Sequence, residues 1–79
     1  MEDTVHFINM LNERGVRLEW ADRTVREPDK IEDNDDGTRH FIKQISEFEN
    51  RWLRVIVSIT AMPEKRITAF FDRRLRRKT

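Results

Sequence analysis

The chain has no cysteine and no tyrosine. The first absence excludes disulfides and any zinc site built on thiolates, and it fits a reducing compartment. The second removes the phenolic hydroxyl from any catalytic set. Glycine and proline occur twice each. They serve as punctuation, and no linker or low-complexity stretch precedes the C-terminal tail. No uninterrupted apolar run exceeds the three residues Val55–Val57, far short of the roughly 20 that a membrane-spanning helix needs. The opening MEDTVHF is acidic, where a secretory leader begins with positive charge. These features lead to the expectation of a soluble, cytoplasmic protein with no membrane partner.

What is present is charge and a few large rings. Charged residues make up 39% of the 79 positions and apolar ones 37%, a polar balance for a folded chain. Trp20, Trp52 and five phenylalanines nevertheless supply enough burial to argue against disorder. The length allows one small domain, residues 1–79, with 75–79 as a basic tail. The net charge of +1 hides a strong asymmetry. Residues 1–50 carry 7 basic and 13 acidic side chains, and residues 51–79 carry 9 basic and 2 acidic. Either the basic part meets an anionic partner, or the two parts pair with each other in the fold.

Periodicity gives the elements. Asp3 or Thr4 caps a first helix over about 4–14, with Val5, Ile8 and Leu11 as its stripe and Phe7 and Met10 widening it. Gly15 suits a left-handed C-cap. A second helix runs over about 18–26, with Leu18, Ala21 and Val25 on one face, and Pro28 stops it. Beyond it the pattern changes to strands. A short one near 30–33 and a longer one near 38–45 flank an Asp35-Asp36-Gly37 turn. RWLRVIVSIT alternates as a central strand, with Leu53, Val55, Val57 and Ile59 opposite Trp52, Arg54, Ile56 and Ser58. RITAFFD closes the sheet, with Ile67, Ala69 and Phe71 on one side. The fold class is α+β: two N-terminal helices on a three- or four-stranded antiparallel sheet.

Several residues bear on chemistry. Glu32, Asp33, Asp35 and Asp36 superficially match the start of a calcium loop, but Lys43 stands where the loop's glutamate belongs, so a hairpin turn is read and no metal or cofactor is expected. His6 and His40 are the only histidines. If they converge on one side of the sheet, either imidazole has the right pKa range for a general base or acid in RNA cleavage; otherwise they are ordinary polar side chains. Arg54 beside Trp52, with Phe70 on the next strand, suits phosphate binding and base stacking. Alternatively, Arg54 covers the sheet with its stem while its head pairs with the acidic helices.

Three stretches together carry a resemblance: HFINMLNERGV at 6–16, REPDKI at 26–31, and RWLRVIVSITAMPEKRITAFFDRRLRR at 51–77. They resemble a family of short bacterial proteins classed as a domain of unknown function, which is similar to the BrnT-like and RelE/ParE-like toxins of toxin–antitoxin modules. The matching positions are His6, Arg14, Arg54, Thr68, Asp72, Arg73 and Arg74. The resemblance implies two helices against a twisted antiparallel sheet and a basic sheet surface that cleaves RNA without a metal, often on the ribosome. It also implies a cognate antitoxin that covers this surface. On that footing His6, His40 and Arg54 are the expected catalytic residues. Arg14, Lys43, Trp52, Arg54, Arg73 and Arg74 are the expected RNA-binding residues. The complete catalytic set of a RelE-type enzyme is not present. The competing expectation is a non-enzymatic interaction module that docks an acidic or extended partner by strand addition. An exposed last strand would also permit an edge-to-edge homodimer.

Overall fold

The computed structural model describes residues 1–75. Among them seven elements follow in order: β1 (Glu2–Asp3), α1 (Val5–Arg14), α2 (Leu18–Arg26), β2 (Lys30–Asp33), β3 (Thr38–Ile45), β4 (Arg51–Ser58) and β5 (Lys65–Phe71). The fold is α+β, with both helices before the main sheet. The sheet has five strands in the order β1-β5-β4-β3-β2. It is mixed: β1 runs parallel to β5, and every other pair is antiparallel. This corrects the expectation of a purely antiparallel sheet of three or four strands. Two residues carry no periodicity from which β1 could be read. It is held by Glu2 N–H donating to Glu64 O at 2.8 Å and Thr4 N–H donating to Arg66 O at 3.1 Å. The chain then turns into α1 at Thr4, whose hydroxyl accepts the Phe7 N–H at 3.0 Å.

Both helices cover one face of the sheet. The buried core joins Phe7, Leu11, Val16, Trp20 and Ala21 to Ile45, Leu53, Val55, Val57 and Ala69. Within α1 the buried pair is Phe7 and Leu11, four residues apart. Val5 (78% exposed) and Ile8 (40%), predicted for the stripe, face outward. In α2, Trp20, Ala21 and Thr24 are buried, while Leu18 is exposed. Trp20, Phe48 and Phe71 form an aromatic cluster, with Phe48–Phe71 centroids 4.9 Å apart.

A bulge resets the last strand. Ile56 lies opposite Thr68, but Val57 lies opposite Arg66, so Ile67 is the extra residue. Arg66 is thereby turned to the helix face. There it lies over the Phe7 ring and bonds to Asp3 at 2.8 Å and Asp22 at 2.6 Å. One side chain thus ties β5 to the segment before α1 and to α2.

The outer edge of β5 is covered in two places. Pairing with β1 takes Lys65 and Arg66. Further along, Ala69 is fully buried, and its carbonyl accepts from Arg14 at 3.0 Å. The remaining outer edge of β5, from Ile67 to Phe71, has no strand partner among the described residues. At the opposite side of the sheet the edge is β2, four residues long with three charges, a composition that discourages strand pairing.

Candidate functional site

Alternation along β4 sends Trp52, Arg54 and Ile56 to the sheet face away from the helices. Arg54 is only 6% exposed there. Its Nε donates to Asp72 at 2.8 Å, and one terminal nitrogen contacts Glu32 at 2.8 Å and His40 Nδ1 at 2.9 Å. Because the guanidinium donates, Nδ1 accepts, and the His40 ring carries its proton on Nε2. Asp72 also accepts from the Arg74 backbone and side chain, each at 3.0 Å. Hydrogen bonds from Arg74, then from Arg54, hold the Asp72 carboxyl down at about 2. Burial, with the Arg54 charge beside it, pushes the His40 imidazole below its ordinary 6.5. Arg54, with Lys30, likewise lowers Glu32. The cluster joins β2, β3, β4 and the turn after β5. It is a polar clamp with its charges matched, and it leaves Arg54 poorly placed to receive a phosphate.

A second feature lies where β4 begins and β5 ends. A groove of about 800 Å³ is lined by Arg14, Arg51, Trp52, Phe70, Asp72 and Arg73, among others. The turn between β3 and β4 forms one wall, through Glu49 and Asn50, both in left-handed backbone conformation with φ of 57° and 56°. Trp52 and Phe70 are half-buried. The backbone N–H of Asp72 donates to Trp52 O, and Phe70 lies opposite Arg54, so the two rings are diagonal neighbours on one face. Arg14 lies over the Phe70 ring at 5.7 Å while bonded to Ala69 O. Arg51 lies over Phe48 at 4.9 Å and approaches Glu49 only to 3.7 Å. Arg73 is exposed at the rim.

The sequence-derived candidates divide into three sets. His40, Arg54 and Arg74 meet in the clamp. Arg14, Trp52 and Arg73 meet in the groove. His6 and Lys43 join neither. His6 is exposed on α1, on the helix side of the sheet, so the two histidines do not converge. Lys43 shares the helix face with Leu53 and bonds to Glu27 O at 2.8 Å. Arg51 was missed, because at the first position of an alternating strand it reads as a solvated end. Glu32 and Asp72 were missed as partners of Arg54, since pairing between strands sets that contact. The basic side chains therefore gather at one end of the sheet rather than over its face.

Among the described residues, no group of three His, Asp or Glu is placed to hold a metal. The acidic residues near the β2–β3 turn are dispersed: Glu32 turns to Arg54, Asp33 to Arg39 and Asp36 to Thr38. No helix among these residues is long and apolar enough to cross a membrane. Residues 76–79 of the predicted tail lie outside the described residues. No protein-family model, curated protein or solved structure matches the chain.

Proposed function

We propose that this chain is a toxin-like RNA-binding protein that holds single-stranded RNA in the groove between β4 and β5. One observation carries this reading: three arginines, Arg14, Arg51 and Arg73, line a groove of about 800 Å³ together with two half-buried rings, Trp52 and Phe70. Cations along the wall suit phosphates, and aromatic faces suit unpaired bases of any sequence. The clamp around Arg54 and His40 supports a binding role over a cleavage role. Its guanidinium is engaged by two carboxylates, and the imidazole nitrogen facing it is engaged too.

The test is anisotropy of a labelled single-stranded RNA titrated with purified protein, beside growth after tightly controlled induction in a bacterial host. The double variant Arg14→Ala with Arg73→Ala should lose about tenfold or more in affinity and relieve growth arrest. The control Arg26→Ala, at the far end of α2, should do neither. Equal affinity for the double variant and the wild type would overturn the reading. An acidic peptide that displaces RNA fully at equal concentration would favour the interaction-module alternative.

A further inference from the structure

The groove's geometry points to a narrower ligand. We infer that it takes two consecutive unpaired nucleobases, one stacked on the Trp52 indole and the other on the Arg14–Phe70 pair. This rests on the RNA-binding reading above.

The two platforms are fixed independently. Trp52 is set by β4, where its carbonyl accepts the Asp72 N–H at 2.8 Å. Phe70 is set by β5, opposite the buried Arg54. Diagonal neighbours on one sheet face lie about 7–8 Å apart. Consecutive bases in a stacked strand rise only about 3.4 Å. Two adjacent bases cannot stack on each other and also reach both platforms, so the strand must be opened with its bases splayed. Splayed bases on sheet aromatics are a general mode of single-strand recognition, and a duplex cannot supply them.

Arg14 has a particular part in this. Its guanidinium is pinned at one edge by Ala69 O and lies over Phe70. A pinned guanidinium offers its outer plane, on which a base stacks, in addition to its charge. Lysine would keep the charge and lose the plane. Arg73 and Arg51, together at the end where β4 begins and β5 ends, are left for the phosphates.

The fluorescence of this chain gives a direct readout. Trp20 is buried between Phe48 and Phe71, whereas Trp52 borders the groove. Quenching on ligand addition therefore reports Trp52. The experiment titrates the full chain with a single-stranded RNA hexamer, the same hexamer annealed to its complement, and an abasic ribose-phosphate hexamer. The single strand should quench, and the duplex and the abasic strand should bind at least about tenfold more weakly. Trp52→Leu should weaken the single strand about ten- to hundredfold. Arg14→Lys should reduce the preference for the based over the abasic hexamer. Equal binding of the based and abasic strands, with neither variant changing it, would overturn the two-base site and leave the RNA reading standing. Failure of every strand to bind would overturn both. Circular dichroism of each variant, matching the wild type, ensures that the loss is local.

Discussion

Arg54 shows how one residue decides between a structural and a catalytic reading. Removing it would leave Asp72, which is almost fully buried, with Arg74 alone, and Glu32 with Lys30 alone, so the loss falls at the low end for a broken buried pair. Breaking a buried pair by deleting one partner costs about 3–5 kcal/mol. Arg54→Ala should therefore lower stability by about 3 kcal/mol in urea unfolding. At a temperature where the variant remains folded, its RNA affinity should stay within about twofold of wild type. Unchanged stability with lost binding would instead make Arg54 a ligand-contacting residue. The same cluster sets an acid limb. Asp72 titrates at about 2 instead of 3.8, so the unfolded chain takes up its proton first. That stabilisation, roughly 2 kcal/mol, is complete above about pH 4 and is lost as the pH falls towards 2. His40 acts in the same direction at higher pH. Its folded value lies below 6.5, so stability declines as the pH drops through 6.5 towards that value. Denaturant unfolding between about pH 7 and pH 5 checks this: His40→Gln should flatten the decline, and an unaltered slope would remove the histidine from the cluster's energetics.

At the scale of elements, two glycines hold positions that side chains resist. Gly15 ends α1 with φ of 64°, its N–H donating to Leu11 O. Gly37, with φ of 82°, sits against Thr60, whose Cγ2 would lie 2.9 Å from an added Cβ. Left-handed backbone costs an L-residue about 1–2 kcal/mol. Gly15→Ala should lose about 1 kcal/mol, and Gly37→Ala more, because it adds a clash; thermal unfolding of the pair would show the order. Both positions were readable in the sequence, as were the spans of both helices and four of the strands, because caps, turns and alternation are local signals. The misreadings share a different origin. Val5, Ile8 and Leu11 and the pair Phe7 and Leu11 are both helical spacings, and only docking on the sheet chooses between them. The bulge at Ile67 reverses the face of Arg66, and alternation alone assigns it wrongly. The site followed the same division. Trp52, Arg14 and Arg73 were recognisable as residue types suited to RNA, but Arg51 and the Asp72–Arg54–Glu32 pairing depend on strand register.

The whole molecule resolves the charge asymmetry of its sequence, acidic over residues 1–50 and basic over 51–79. Much of it is internal pairing: Arg54 with Glu32, and Arg66 with Asp3 and Asp22, each join the basic part to the acidic part. Arg74 turns to Asp72 within the basic part. Among the described residues, Arg14, Arg51 and Arg73 gather at the groove, where an anionic ligand could meet them. The number of cations in the sequence is therefore a poor guide to the number that an anionic ligand would meet, and the two counts predict different salt dependence. Each phosphate neutralised on a single strand contributes about −0.7 to the slope of log K against log salt. Three arginines give a slope of about −2. A basic surface drawing on most of the nine cations beyond residue 50 would give one at least twice as steep. Anisotropy titrations from about 50 to 200 mM salt separate the cases. A slope near about −2 that becomes shallower in Arg73→Ala assigns the electrostatics to the groove; a steep slope indifferent to Arg14 and Arg73 would move the binding surface elsewhere on the molecule.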